Sequence, residues 1–123
     1  MTTPSASEPH GLEAALRERR DAGGKCLDPY LTGGLFAGGD GDWTDVLRAV
    51  AGAGADGIEV GIPFSDPVMD GPVIQEASEL ALQAGATPPA ILDSLAAVDA
   101  GVPLAVMTYV NLVYRFGYER FAA

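Results

Sequence analysis

Two carboxylates, Glu59 and Asp70, are the side chains of this 123-residue chain best suited to do chemistry. Glu59 stands between glycines in the run Gly57–Gly61, where the alternation of side chains along a strand separates it from Ile58 and Val60. A carboxylate on the inner face of a sheet is costly unless it is paired or used. Asp70 follows in a loop, and two carboxylates in different surroundings can divide the roles of acid/base and charged stabiliser.

Spacing alone also allows a purely structural role for Glu59 and for Asp70. Glu59 would also suit the solvent side of an edge strand. Asp70-Gly71 and Ser65-Asp66-Pro67 are both common turn sequences, in which an aspartate bonds the local backbone. Residue type and spacing therefore leave a catalytic and a structural interpretation of these acids side by side.

Helices and strands that alternate along the chain must position these acids. Apolar spacing predicts four helices and apolar runs predict three strands, with a further short helix near Tyr118. The predicted bounds are 11–22, 43–53, 73–84 and 87–100 for the helices and 25–32, 57–62 and 102–109 for the strands. This order favours parallel strands joined by right-handed crossovers, which is an α/β fold.

Three parallel strands are too few for a usual open sheet or a closed barrel. We therefore expect one domain over residues 1–123 that comprises an N-terminal helix and the first three βα units of a (β/α)8 TIM barrel, with 1–10 as a flexible tail. A compact three-unit fold is the alternative. In a barrel, active sites lie at the carboxyl ends of the strands, so Glu59 would face the interior and Asp70 would follow its strand.

Composition excludes several function classes. The net charge of −10, from 17 acidic and 7 basic residues, argues against nucleic acid and anionic membranes as partners. No apolar run is long enough to span a membrane, and the polar start lacks the features of a secretory signal, so we expect a cytoplasmic location. One cysteine, Cys26, and one histidine, His10, exclude a disulfide framework and a metal site built on those residues. We expect Cys26 to be buried in the first strand.

A long motif surrounds the two acids. The run Ile58–Gln75, IEVGIPFSDPVMDGPVIQ, closely resembles the signature of the tryptophan synthase alpha chain family. Lys25–Thr32 resembles the first barrel strand of that family, and Gly54–Asp56 resembles the approach to its second. Met107–Val113 resembles its third strand and the following loop. The similarity spans nearly the whole chain in the family's order.

The resemblance implies an activity and a set of site residues. The family cleaves indole-3-glycerol phosphate to indole and glyceraldehyde 3-phosphate in tryptophan biosynthesis, as a lyase of the tryptophan synthase type, which is classed with the carbon–oxygen lyases. This retro-aldol reaction uses no metal and no organic cofactor. By resemblance, Glu59 is the general acid/base and Asp70 stabilises positive charge on the indole nitrogen. Tyr30, Met107 and Tyr109 are implied to line the substrate pocket.

The resemblance also implies a partner. The family works as a heterotetramer of two α and two β chains, in which indole passes to a β chain that carries pyridoxal phosphate. No cofactor is therefore expected on this chain. Pro63, Asp66, Pro67 and Asn111 match positions that contact the partner. The alternatives are a catalytically incomplete fragment that only docks on a β chain, and another phosphate-binding barrel enzyme.

Three features depart from the family pattern. Asp28 is charged where the first strand of the family is usually apolar, and Gly33–Gly41 forms a longer, glycine-rich loop. That loop could cradle a phosphate, but it lacks basic residues and carries Asp40. The later strands, whose backbone amides hold the substrate phosphate in the family, are absent from this sequence, so we expect the isolated chain to be inactive.

Overall fold

The computed structural model describes residues 11–35 and 41–122, which contain a parallel sheet with helices beside it. The strands are β1 (Tyr30–Thr32), β2 (Ile58–Gly61) and β3 (Leu104–Met107). The helices are α1 (Gly11–Asp21), α2 (Trp43–Gly52), α3 (Pro72–Gln83), α4 (Pro88–Ala97), α5 (Val110–Phe116) and α6 (Tyr118–Ala122). The expected tail over 1–10 lies outside the described residues, as do residues 36–40 of the Gly33–Gly41 loop.

The three strands lie in chain order, β1-β2-β3, and both pairs are parallel. In the register, Tyr30 is paired with Glu59, and Glu59 is paired with Ala105. Sequential parallel strands with helical crossovers are the start of a (β/α)8 barrel. The prediction of an α/β fold made of the first barrel units after an N-terminal helix is therefore confirmed.

One face of β2 and the helices outside it form the hydrophobic core. Ile58 and Val60 on β2, Leu47 on α2 and Ile91 on α4 are the largest fully buried side chains. Trp43, at the start of α2, joins the same cluster. Burial of each such aliphatic side chain contributes about 1.5–3 kcal/mol. Because this face holds the apolar residues, the alternating Glu59 is directed to the opposite, inner face.

Helix boundaries follow local signals that are visible in the sequence. Thr87 caps α4, where its hydroxyl accepts a hydrogen bond of 3.3 Å from the backbone N–H of Ala90, and Pro88 occupies the first turn. After α3, Gly85 has φ +93°, the left-handed conformation that ends many helices. These boundaries fix the short turn between α3 and α4.

Three predictions from the sequence were wrong: where the first strand begins, the structure of residues 110–116 and the burial of Cys26. The first strand begins at Tyr30 rather than residue 25, since Pro29 has no N–H to donate. Its carbonyl still accepts a hydrogen bond of 2.9 Å from Glu59 N, so this segment runs alongside β2. Helix α5 was not predicted, because its residues resembled a loop. Cys26 is exposed, contrary to the prediction that it is buried, because it lies before the first strand.

Candidate active site

The inner face of the sheet presents its side chains in rows. One row holds Tyr30, Glu59 and Ala105, and the next row toward the carboxyl ends holds Thr32, Gly61 and Met107. The two rows follow from the register, because paired residues of parallel strands point to the same side. Glu59 thus lies one row beneath the carboxyl end of β2.

The side chain of Tyr30 starts in the row of Glu59 and extends over Gly61 in the next row. A Cβ atom on Gly61 would lie 2.6 and 2.7 Å from the Cζ and Cε2 atoms of the Tyr30 ring. Only glycine leaves space for a ring at this point, which explains the glycine that follows the motif's Glu-Val pair. The hydroxyl of Thr32 lies 3.4 Å from the hydroxyl of Tyr30. The Tyr30 ring is thereby held over the carboxyl end of β2.

Glu59 is half-buried, and its surroundings favour its neutral form. Burial raises the pKa of Glu59 above its ordinary value of 4.5, and the nearby carboxyl group of Asp28 raises it further. Asp28 lies two residues before Tyr30 on the inner face. A carboxyl group whose pKa is raised toward neutrality is suited to deliver and remove protons.

A cavity of about 320 Å³ opens at the carboxyl ends of the strands. Tyr30, Asp70, Met107 and Tyr109 all line it, so the structure brings together four of the five residues expected to be catalytic or to bind substrate. Glu59 is not in the lining. It lies one row below Gly61, which does line the cavity.

The carboxylate of Asp70 is held by Tyr109. The Tyr109 hydroxyl donates a hydrogen bond of 3.1 Å to Asp70 Oδ2 and accepts one of 3.1 Å from the backbone N–H of Met69. Burial raises the pKa of Tyr109; the Met69 N–H opposes this, and the charge of Asp70 adds to it. The ring of Phe64 packs on Tyr109 with ring centroids 5.2 Å apart. These contacts fix the loop between β2 and α3 against the end of β3.

Sequence reasoning missed several residues of the site. Gln75, at the start of α3, donates hydrogen bonds of 2.7 Å to the carbonyl of Asp70 and 3.4 Å to that of Pro67. Its place at the end of the motif was the available signal. Thr108 and the buried Ser78 line the cavity, and neither residue type marks such a position in advance.

The four residues that match partner contacts of the family differ in how exposed they are. Asp66 and Asn111 are exposed and Pro67 is half-buried, whereas Pro63 is buried. Phe64 and Met69 both contact Tyr109, so the loop after β2 packs against the residue that precedes α5. Pro63 is therefore shielded from solvent, whereas Asp66 and Asn111 are accessible and Pro67 is partly so.

Two further observations bear on cofactors and membranes. Within residues 11–35 and 41–122, no group of three or more histidine, cysteine, aspartate or glutamate side chains is arranged to hold a metal ion. Of the helices the structure describes, none has the length and hydropathy needed to cross a membrane.

Comparisons with known proteins agree with this geometry. A family model described as the tryptophan synthase alpha chain matches residues 16–123. The tryptophan synthase alpha chain of Nitratidesulfovibrio vulgaris (strain DP4) is 48% identical over 112 residues, which are 89% of this chain and 43% of that relative. That of Lactococcus lactis subsp. cremoris (strain MG1363) is 44% identical over 95 residues, 77% of this chain and 38% of the relative.

Solved structures of tryptophan synthase also resemble this chain. A crystal structure of tryptophan synthase from M. tuberculosis superimposes with a TM-score of 0.80 at 36% identity, over 94% of this chain and 46% of that one. Tryptophan synthase subunit alpha from Legionella pneumophila has a TM-score of 0.76 at 32% identity, over 94% of this chain and 44% of that one. The chain thus spans less than half the length of these relatives. It belongs to the tryptophan synthase alpha chain family.

Proposed function

We propose that this chain supplies both catalytic carboxylates, Glu59 and Asp70, of an enzyme that cleaves indole-3-glycerol phosphate to indole and glyceraldehyde 3-phosphate. The observation that carries the proposal is the shared cavity. It joins Asp70 to Tyr30, Met107 and Tyr109 directly above the row that holds Glu59. An aromatic-lined cavity with a carboxylate at its side suits a flat ring that bears an N–H group.

The cleavage requires two proton movements and one bond breakage. A proton is added at C3 of the indole ring, and the bond between C3 and the glycerol chain breaks with its electron pair retained by the indole. The adjacent glycerol hydroxyl loses a proton as its carbon becomes the aldehyde. Glu59, whose pKa is raised by burial and by Asp28, is the group we assign to these transfers.

Asp70 has the complementary role. Protonation at C3 places positive charge on the ring, and a carboxylate beside the indole nitrogen stabilises that charge. The hydrogen bond from Tyr109 keeps one oxygen of Asp70 in a fixed position at the cavity. Tyr30 and Tyr109 would flank the ring, and Met107 would pack at its edge.

We further propose that the product indole passes to a β chain, in a heterotetramer of two α and two β chains. Pyridoxal phosphate would belong to the β chain, and this chain would carry no cofactor. Asp66, Pro67 and Asn111 would contact that partner, whereas Pro63 is buried. Tryptophan biosynthesis implies a cytoplasmic location.

A chimera tests the catalytic assignment. The chain would replace the matching part of the M. tuberculosis α chain, which contributes the remaining βα units, and indole release would be followed from indole-3-glycerol phosphate. We expect the Glu59→Gln and Asp70→Asn chimeras to lose at least about 100-fold in kcat, because general acid–base catalysis contributes about 10²–10⁴-fold and the loss of one electrostatic stabiliser costs about 10²–10³-fold. Glu76→Gln, an exposed glutamate on α3, is the matched control and should leave the rate unchanged. Normal cleavage by the Glu59→Gln chimera would overturn the assignment.

A docking module without its own activity is the second candidate, favoured by the exposure of Asp66 and Asn111. Titration of the 123-residue chain into the M. tuberculosis β chain, followed by calorimetry, tests it. The Asp66→Lys variant should weaken binding, whereas Asp93→Lys on α4, of equal charge change, should not. Absence of binding by the unaltered chain would exclude this candidate.

A further inference from the structure

Asp28 is an acid that the proposed mechanism does not use. It is half-buried on the inner face, and its Oδ1 atom is buried without a hydrogen-bond partner among the described residues. The same oxygen lies 3.2 Å from the point that a Cβ atom on Gly57 would occupy. Asp28 and Gly57 therefore form the row beneath Tyr30 and Glu59.

The surroundings of Asp28 offer no compensating charge. The Leu12 side chain from α1 and the Pro103 carbonyl that precedes β3 both approach this row at Gly57. The Arg19 guanidinium of α1 lies 3.8 Å from a carboxylate oxygen of Asp56 instead. Within the described residues, no ion pair reaches either Asp28 or Glu59.

A buried acceptor without a donor costs free energy, and the cost is removed when a donor is supplied. The titratable groups that face Asp28 from the neighbouring inner-face row are Glu59 on β2 and Tyr30 on β1, whereas β3 contributes Ala105 to that row. Tyr30 directs its hydroxyl away, toward Gly61 and Thr32. An ionised Glu59 has no proton to donate, whereas a protonated Glu59 does.

We propose that Asp28 is a positioning residue that acts through Glu59, holding its carboxyl group protonated and oriented until the proton is needed at the substrate. The role of Glu59 in this statement rests on the proposed function, but the coupling of the two carboxyl groups does not. The effect of Asp28 on the pKa of Glu59 has the required direction, because the negative charge of Asp28 raises that pKa.

Coupling to Glu59 would explain why a second acid lies half-buried on the inner face without a compensating charge. Burial is the largest cause that raises the pKa of Glu59, and an apolar side chain at position 28 would remove the contribution that Asp28 adds to it. Asp28 adds a second carboxylate, which resists the loss of the Glu59 proton. The enzyme would then retain a protonated acid to a higher pH than a relative with an apolar residue there.

Carbon-detected NMR titration of the Glu59 carboxyl group in the 123-residue chain tests the coupling directly and needs no activity. We expect Asp28→Asn to shift the Glu59 midpoint downward by about half a pH unit or more, since a neighbouring like charge disfavours ionisation. Asp21→Asn, an exposed acid that pairs with Arg20, is the control and should leave the midpoint unchanged.

Each outcome decides the proposal. A lower midpoint in Asp28→Asn, with a native-like amide spectrum, supports it, and an unchanged midpoint overturns it. If Asp28→Asn does not fold, Asp28→Ser replaces it as the smaller neutral variant. Loss of the fold in both shows that Asp28 is a structural residue, which also overturns the proposal.

The M. tuberculosis chimera separates this proposal from the proposed function. In an active chimera, Asp28→Asn should shift the pH profile of kcat to lower pH by the same amount as the Glu59 midpoint, with KM unchanged. A chimera that is folded but inactive would count against the lyase assignment alone. The titration in the 123-residue chain would still decide the coupling of Asp28 to Glu59.

Discussion

The hydroxyl of Tyr109 binds the Asp70 carboxylate at 3.1 Å across 39 positions of sequence. The same oxygen accepts a hydrogen bond of 3.1 Å from Met69 N, so it holds the backbone and the side chain of one loop segment together. Tyr109 follows β3, whereas Asp70 precedes α3. The orientation of the proposed stabilising carboxylate thus depends on a strand that is distant in sequence but is paired with β2 in the sheet.

Replacement of Tyr109 by phenylalanine should release this loop while keeping the aromatic packing on Phe64. Met69 N loses its acceptor, so its amide should exchange with solvent faster in hydrogen-exchange experiments on the 123-residue chain. In the chimera we expect kcat to fall by about tenfold or more, because Asp70 is no longer held in place. Tyr114→Phe removes a hydroxyl from a ring that is 73% exposed and should change neither property. Unaltered Met69 exchange in Tyr109→Phe would show that the hydrogen bond does not order the loop.

The raised pKa of Glu59 makes stability depend on pH with a definite sign. The folded chain holds the Glu59 proton more tightly than the unfolded chain, whose pKa is near the ordinary 4.5. This contribution to the free energy of unfolding is complete below that value and is lost as the pH rises through the raised pKa. Urea unfolding from about pH 4 to about pH 8 should therefore show the unaltered chain losing stability relative to Glu59→Gln.

The matched control for that series is Glu76→Gln, which neutralises an exposed acid of the same kind. Its stability should run parallel to that of the unaltered chain over the whole pH range. If Glu59→Gln also runs parallel, Glu59 has the same pKa in both states and the burial argument is wrong.

Much of the fold follows from sequence pattern, because β2 and the helices around it have strong apolar spacing. β2 was predicted over 57–62 and observed as Ile58–Gly61. β1 and α5 were misjudged where a proline and a family loop obscured the local signal. The contacts of Tyr109 with Asp70 and of Asp28 with Glu59 were not predictable, because sheet register rather than local sequence brings these side chains together.

Gly61 should not tolerate even the smallest side chain. A Cβ atom there would lie 2.6 and 2.7 Å from Tyr30 ring atoms, so Gly61→Ala must displace the ring or the strand. We expect a loss of about 1–3 kcal/mol in the free energy of unfolding, the usual cost of overpacking. Gly52→Ala is the control, since nothing lies within 4 Å of its Cβ position, and alanine at the end of α2 should be neutral or stabilising. Restored stability in the Tyr30→Ala, Gly61→Ala double variant would identify the ring as the obstacle, and a fully stable Gly61→Ala would contradict the packing.

The outer edge of β3 should promote self-association of the 123-residue chain. Within the described residues β3 pairs only with β2, and on it Val106 is 39% exposed and Met107 47% exposed. An apolar strand edge offers unpaired backbone groups to a second chain, and a lysine there opposes such pairing. Val106→Lys should therefore reduce the concentration-dependent increase of the sedimentation coefficient. Val73→Lys, on α3 and 79% exposed, adds the same charge away from the sheet and should have little effect. Equal suppression by both variants would show that net charge, rather than the strand edge, controls the association.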